Sequence, residues 1–171
     1  MADSPAVERA DVAVVGAGQA GLATSRELSV RDIEHVVLER GRIAQTWRGR
    51  WDSFCLVTPN WSVRLPGGEY AGRDPDGFIP RDEIVSHLKA YAASSGAPVR
   101  EGIDVEEIDA RNGGFEVRTS HGALRARRVV LATGSYQRPH RPACAADLPS
   151  DVLAIDAEGY TTPVRSPTAE S

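Results

Sequence analysis

The sequence feature that most constrains the fold lies between positions 11 and 40. An apolar run at Val12–Val15 has the length and composition of a buried parallel strand, and G-A-G-Q-A-G follows it at positions 16–21. A helix-compatible stretch then reaches Leu28, and a second apolar run at 35–38 predicts another strand. A strand, a glycine-rich turn, a helix and a second strand in this order predict a βαβ unit that binds a dinucleotide.

Each glycine of this turn has its own physical role. Gly16 permits the tight turn that leaves the first strand, and Gly18 lacks the Cβ that would keep a pyrophosphate away from the backbone. Gly21 allows the helix to pack closely on the sheet, and the N-terminus of that helix offers N–H groups and a positive dipole end to phosphates. Glu39 follows the second strand, where a carboxylate can accept hydrogen bonds from ribose hydroxyls.

Composition excludes several classes of function. A net charge of −4 gives no reason to expect a nucleic acid or an anionic membrane as a partner. No apolar run approaches the roughly 20 residues of a membrane span, and the N-terminus lacks the pattern of a signal peptide. Cys55 and Cys144 have no C-x-x-C or metal-ligand spacing, and the histidines do not cluster. We therefore expect a cytoplasmic protein with reduced thiols and no metal site.

The length of 171 residues predicts one domain with a substantial core. We expect this domain to span residues 11–160, between a flexible N-terminus at 1–10 and a disordered tail at 161–171. A helix is predicted to begin at Arg81, and strands separated by glycine turns are predicted between 99 and 127. The apolar run at 129–132 predicts a further, central strand.

The segment between the βαβ unit and the helix at Arg81 is irregular. Residues 41–51 contain two tryptophans and three arginines, which suggests a segment folded over something flat and apolar, with core packing as the alternative. Residues 54–58 have the composition of a short buried strand, in which Cys55 is expected to be a small buried residue. The stretch 60–80 is rich in Gly, Pro and Asp and predicts a long loop.

Three segments of the chain resemble a known class of flavoprotein. They are VVGAGQAGL with its following Glu39-Arg40 pair, TWRGRWDSFCLVTPNW, and LATGSYQRPHRP. In this order, with a helix and a β-meander between them, they resemble the FAD-binding half of two-dinucleotide-binding-domain flavoproteins, most closely flavin-containing monooxygenases and their Baeyer–Villiger relatives. The resemblance covers about residues 11–160. It implies an α/β, Rossmann-like FAD/NAD(P)-binding domain with a parallel sheet and a β-meander insert.

The resemblance also implies a function and the residues that serve it. In this family NADPH reduces the flavin, and the reduced flavin uses O₂ to oxygenate a small molecule. Asn60 would be a catalytic residue beside the reacting face of the flavin. The residues expected to contact FAD are Gly16, Gly18, Gln19, Ala20 and Gly21 at the pyrophosphate, Glu39 at the ribose, Arg40 and Val105 at the adenine, Thr46 and Trp47 near the flavin, and Ala132, Thr133 and Gly134 beneath the cofactor.

The sequence departs from the family pattern in three respects. Asp156 stands where relatives carry a histidine in a fingerprint that leads to the second domain. Ala44-Gln45 stands where many relatives have a Gly-Gly pair before the Thr-Trp. The sequence contains one G-x-G-x-x-G, whereas a full relative continues into a second such domain for NADPH. We therefore expect a domain that is incomplete relative to the family and lacks the NADPH site, and the resemblance does not decide whether this chain is an active enzyme. It does not predict an oligomeric state either.

Several alternatives stay open at the level of the sequence. The first is a Rossmann domain of a reductase that binds NAD rather than NADP, because Glu39 would reject the 2′-phosphate of NADP. The meander and the ATG strand argue against this alternative. The second is a non-catalytic remnant of the flavoprotein. Asn60 has an equally plausible role as an Asx-type turn residue, and Trp47 an alternative role in core packing.

Overall fold

The computed structural model describes residues 8–135, 140–152, 154–156 and 159–160. They form six strands and three α-helices, together with 3₁₀ turns at Asn60–Ser62 and Ala143–Asp147. In chain order the elements are β1 (Glu8–Val15), α1 (Gln19–Ser29), β2 (His35–Glu39), α2 (Gln45–Arg48), α3 (Arg81–Ser94), β3 (Val99–Glu101), β4 (Val105–Arg111), β5 (Gly114–Thr119) and β6 (Gly122–Leu131).

The strands form one sheet in the order β3-β2-β1-β6-β5-β4. The four strands β3, β2, β1 and β6 run parallel, and β6, β5 and β4 form an antiparallel meander. Val14 lies between Val37 of β2 and Val130 of β6, so the predicted first strand is central. These observations confirm the predicted α/β fold with a parallel sheet and a β-meander.

The last strand differs from its prediction. The sequence suggested two strands, the third meander strand at 123–127 and a separate central strand at 129–132, but β6 is continuous from Gly122 to Leu131. No glycine or proline interrupts this run, so one strand pairs with β5 along its first half and with β1 along most of its length. β6 therefore joins the meander directly to the parallel sheet.

The larger core lies between the sheet and the helices α1 and α3. Strand residues at alternate positions point toward this side, and α1 and α3 contribute the apolar residues that recur at helical spacing. Its buried members include Val14, Val37, Leu22, Leu88 and Tyr91. A smaller core on the other face of the sheet contains Ala13, Leu38, Val117 and Leu124.

The helix α3 agrees with its prediction. It begins at Arg81, directly after Pro80, and carries Asp82 and Glu83 in its first turn, where carboxylates favour the positive end of the dipole. It ends at Ser94, and Gly96 has a φ of +59° just beyond it. A glycine adopts this left-handed conformation without steric cost, which is the usual way for a helix to end.

The predicted strand at 54–58 is wrong. Cys55 makes only an isolated bridge to Pro80, and the segment is otherwise irregular. The side chain of Val57 is 88% exposed, and Cys55 is exposed as well, so the expectation of a buried thiol is also wrong. Pro59 ends the segment. Within the segment, the amide of Leu56 donates to the carbonyl of the loop residue Ile79 rather than to a strand of the sheet.

The first strand begins before the predicted start of the domain. β1 begins at Glu8, earlier than the predicted domain start at residue 11, because Glu8 and Arg9 pair in register with β6. Residues 1–7 and 161–171 lie outside the described residues, so the predicted flexible N-terminus and disordered tail stay predictions.

Candidate cofactor-binding cleft

A cleft of about 970 Å³ opens at the carboxyl edge of the parallel strands. It is bordered by Val15, Leu38 and Leu131, at or next to the last residues of β1, β2 and β6. In open α/β sheets this edge is where ligands bind, because the loops that leave the strands diverge there. Twelve of the predicted cofactor residues line the cleft: Gly16, Gly18, Gln19, Ala20, Glu39, Arg40, Thr46, Trp47, Val105, Ala132, Thr133 and Gly134.

Two glycines hold the glycine-rich turn tightly against its neighbours. Gly16 has a φ of +106°, and a Cβ there would lie 2.5 Å from the carbonyl oxygen of Ala132. A Cβ on Gly21 would overlap the carbonyl oxygen of Gly16. Gly21 is buried and does not line the cleft, so its observed role is close packing of α1 on the turn.

Gly18 differs from both of these glycines. Its φ of −82° is open to any residue, and a Cβ there would meet no protein atom within 4 Å. Gly18 is the N-cap of α1, makes no side-chain cap, and is followed by a first turn without acidic residues. The first N–H groups of a helix have no partner within the helix, so this open space suits an anion. The geometry fits the pyrophosphate of a dinucleotide.

Glu39 is 7% exposed and is fixed at the cleft by two backbone donors. Its Oε2 accepts a hydrogen bond from the amide of Ala17 at 2.7 Å, and its Oε1 accepts one from the amide of Gly41 at 2.9 Å. An ionised carboxylate has about four acceptor positions, so both oxygens retain capacity for hydroxyl donors. Such a group, held rigidly beside the glycine-rich turn, is suited to a ribose.

The short helix α2 forms the wall of the cleft opposite the glycine-rich turn. Its N-cap, Ala44, has a φ of +63° and donates its amide to the carbonyl of Ala17 at 3.1 Å. Trp47 lines the cleft and also packs against Phe54, with ring centroids 5.7 Å apart. Phe54 in turn meets Trp51 edge-on at 5.0 Å. The ring of Trp47 therefore lines the cleft and also packs against a neighbouring aromatic ring, while its position near a flavin stays a prediction.

The rest of the cleft is formed by the residues that follow β6 and precede β4. The amide of Ala132 donates to the carbonyl of Val15 at 2.9 Å, which continues the sheet pairing below the glycine-rich turn. Gly134 has a φ of +77°, which turns the chain away from the sheet. Ile103 and Asp104 line the cleft beside Val105, and the amide of Ile103 donates to the carbonyl of Glu39 at 2.9 Å.

A family model described as pyridine nucleotide-disulphide oxidoreductase matches residues 13–153. The chain belongs to this family. The match runs from the first strand through the cleft residues that follow β6, so it covers both walls of the site.

The chain is also similar to individual oxidoreductases and monooxygenases. It is 36% identical over 154 residues to an uncharacterized CzcO-like oxidoreductase of Geobacillus kaustophilus, and 37% identical over 152 residues to indole-3-pyruvate monooxygenase YUCCA1 of Oryza sativa. These alignments cover 90% and 83% of this chain but 44% and 37% of the two relatives. The chain thus spans less than half the length of the relatives it matches.

The solved structures agree. A flavin-containing monooxygenase from Stenotrophomonas maltophilia superposes with a TM-score of 0.72 at 26% identity, over 80% of this chain and 42% of that one. These matches confirm the resemblance to the FAD-binding half of flavin-dependent monooxygenases, and the coverage confirms a fold that is incomplete relative to the family.

Asn60 lies outside the cleft lining. It is 2% exposed, its Oδ1 accepts the amide of Ile79 at 2.7 Å, and its Nδ2 donates to the carbonyl of Asp74 at 2.8 Å. Both ends of the side chain therefore join distant parts of the 60–80 loop, and these bonds are not the local ones of an Asx-type turn. A catalytic role for Asn60 stays a prediction.

The sequence missed some residues that line the cleft, among them Gln45, Arg50, Ile103, Asp104 and Ser135. In the sequence, Gln45 differed from the glycine that the resemblance predicts, but nothing indicated that it lines a cleft. Ile103 and Asp104 belong to no motif and are notable only as neighbours of Val105. In the part of the chain that the structure describes, no group of three or more His, Cys, Asp or Glu residues is placed to hold a metal ion. No helix among the described residues is long and apolar enough to cross a membrane.

Proposed function

We propose that this chain binds FAD and forms the flavin-binding region of an oxidoreductase of the flavin-dependent monooxygenase type. The observation that carries the proposal is the open space at Gly18. A Cβ added at Gly18 would meet no protein atom within 4 Å, whereas one added at Gly16 or Gly21 would overlap backbone. A turn built this way leaves room for a pyrophosphate beside Gly18.

The remaining residues of the cleft fit the rest of FAD. The first turn of α1, with Gln19 and Ala20, would hold the pyrophosphate through its N–H groups. Glu39 would bind the adenosine ribose, and Arg40 and Val105 would border the adenine. Thr46 and Trp47 would lie near the flavin, with the 132–134 segment beneath the cofactor.

When bound, FAD would supply the redox chemistry, by accepting hydride from a reduced nicotinamide and passing electrons to O₂. The contribution of this chain would be to bind and orient the cofactor. Trp47 would exclude water from one side of the flavin, since its ring is held by Phe54. Asn60 is proposed as a catalytic residue on the resemblance alone. The structure adds no support, because both ends of its side chain bond to backbone groups of its own loop.

For the protein as a whole, we propose reduction by NADPH, a small-molecule substrate and a cytoplasmic location. Support for these proposals comes from the similarity to indole-3-pyruvate monooxygenase YUCCA1 and to the flavin-containing monooxygenase from Stenotrophomonas maltophilia. Because the chain spans 44% of the first relative, its own turnover is a separate question from its binding of FAD.

Retention of flavin tests the proposal. The purified chain is incubated with FAD, desalted, and examined by visible absorption, beside Gly18→Val and the matched control Ala90→Val. Ala90 is exposed on α3, outside the residues that line the cleft, and should not affect binding. We expect a flavin band in the wild type and the control but not in Gly18→Val. A colourless wild type contradicts the proposal, and titration with NAD then distinguishes a nicotinamide domain from a non-binding remnant.

A further inference from the structure

A second, smaller groove of about 400 Å³ lies between the segment that carries α2 and the helix α3. Arg42 and Arg48 border it on one side, and Lys89 borders it on the other. Asp82, Val85 and Ser86 of α3 also line it. None of these residues lines the cofactor cleft, although Thr46 and Trp47 on the same short helix do. The groove is therefore a separate site that shares one wall with the cleft.

Cations outnumber carboxylates in the lining of the groove, although the net charge of the protein is negative. Its fourth cation, Arg81, is neutralised, because it donates to the carboxylates of Asp82 at 2.9 Å and Asp52 at 3.0 Å. Those two carboxylates raise the pKa of the Arg81 guanidinium, and the cluster of one cation and two carboxylates is left with one net negative charge.

Arg42, Arg48 and Lys89 have no such counter-ions. Among the residues that the structure describes, no carboxylate forms an ion pair with any of them. The only side-chain hydrogen bond from these three cations to a described residue runs from Nε of Arg48 to the carbonyl of Ile43 at 3.0 Å, which fixes the guanidinium but leaves its charge uncompensated.

We infer that this groove binds a phosphate-type dianion. Two guanidinium groups offer paired N–H donors that match the spacing of phosphate oxygens, and an ammonium supplies a third positive charge. A volume of about 400 Å³ holds an inorganic phosphate with its water or the phosphoryl end of a small metabolite. The inference does not depend on FAD, since none of the three cations lines the cofactor cleft.

The sequence supplies a selective probe of this groove, because Lys89 is the only lysine. Reductive methylation with ¹³C-formaldehyde retains the charge of the ammonium and gives one side-chain signal, apart from that of the N-terminal amine. We expect this signal to shift in a saturable manner on addition of phosphate, with a Kd below about 1 mM. Potassium chloride at the same ionic strength should cause no saturable shift. A shift that is the same in phosphate and chloride overturns the inference.

A matched pair of variants tests the position of the site. Arg42→Gln removes one exposed cation from the groove, and Arg125→Gln removes one from the exposed surface of β6. We expect Arg42→Gln to weaken phosphate binding about tenfold, the effect of one charge-assisted hydrogen bond, and Arg125→Gln to leave it within twofold. Equal affinities in the two variants would overturn the assignment to this groove.

The source of the dianion is resolved by a second titration, with glucose 6-phosphate in place of inorganic phosphate. Tighter binding of the ester assigns the groove to a phosphorylated small molecule, since the room beside the cations is then used. Equal binding assigns it to inorganic phosphate. Failure of both ligands to bind refutes the site, while retention of flavin continues to report on the cofactor cleft alone.

Discussion

The carboxylate of Glu39 accepts a hydrogen bond from the amide of Ala17, between Oε2 and N at 2.7 Å. The bond joins the end of β2 to the middle of the glycine-rich turn, and Oε1 binds the amide of Gly41 in the same way. Glu39 therefore shapes the turn as well as offering acceptors to a ribose. A carboxylate is suited to both tasks because it accepts several hydrogen bonds at once.

This relationship predicts that Glu39→Gln affects the turn and the cofactor together. The amide NH₂ of glutamine would face one of the two backbone N–H donors, so one bond to a charged acceptor is lost and one donor is left unsatisfied. We expect the affinity for FAD to fall by roughly 10- to 100-fold and the free energy of unfolding to fall by about 2 kcal/mol. Flavin fluorescence titration and urea unfolding measure the two effects.

Glu69→Gln is the matched control, since Glu69 is exposed and does not line the cleft. It should leave both quantities unchanged. If Glu39→Gln lowers the affinity while the stability is kept, the bond to Ala17 is not important for the turn.

The glycine-rich unit was predictable from sequence because its constraints are local. Gly16 must have a positive φ, Gly21 must lack a Cβ, and both requirements appear directly as residue types. The helix α3 was predictable for the same reason, from Pro80 and the acidic first turn to Gly96. In each case a single residue type meets a conformational need of the backbone.

Features that depend on distant partners were not predictable. Residues 54–58 have the apolar composition of a strand, but no sheet edge lies within reach before Pro59, and Val57 faces solvent. The buried bonds of Asn60 to Asp74 and Ile79 depend on how a long loop folds back on itself. Hydrophobic periodicity predicts helices and strands, but it does not predict contacts within an irregular loop.

The backbone conformation at Ala44 is one that favours glycine. Its φ of +63° lies in the left-handed region, which costs a residue with a Cβ about 1–2 kcal/mol. Ala44→Gly removes this strain but also removes a buried methyl group worth about 0.8 kcal/mol. We therefore expect the variant to be more stable by up to about 1 kcal/mol in urea unfolding.

Ala90→Gly offers a comparison of opposite sign. Ala90 is an exposed residue within α3, so the same substitution should destabilise the protein there by about 1 kcal/mol. Destabilisation at both positions would show that the backbone strain at Ala44 costs less free energy than burial of its methyl group contributes.

Tyr91 provides a prediction about alkaline pH. Burial raises the pKa of its phenol above the ordinary value, and its hydroxyl donates to the carbonyl of Pro66 at 2.9 Å. Because the folded protein then holds this proton more tightly than the unfolded chain, the associated stability is complete below about pH 10 and is lost as the pH rises through the folded-state pKa.

Replacement of Tyr91 by phenylalanine should therefore cost about 1 kcal/mol at pH 7, through the lost hydrogen bond. The difference between the wild type and Tyr91→Phe should narrow as the pH rises above 10. Urea unfolding at pH 7 and at several values above pH 10 measures it. A difference that stays constant with pH contradicts the shifted pKa.

Asn60 allows a structural role to be separated from a catalytic one. Asn60→Ala leaves the amide of Ile79 and the carbonyl of Asp74 without their buried partner, so we expect the free energy of unfolding to fall by about 3 kcal/mol. Retention of FAD by the folded fraction should not change, because the side chain does not line the cleft. Asn112→Ala, at an exposed turn between β4 and β5, is the matched control and should be nearly neutral. Unchanged stability in Asn60→Ala, together with a loss of flavin-dependent turnover, would contradict the structural role and support the catalytic one.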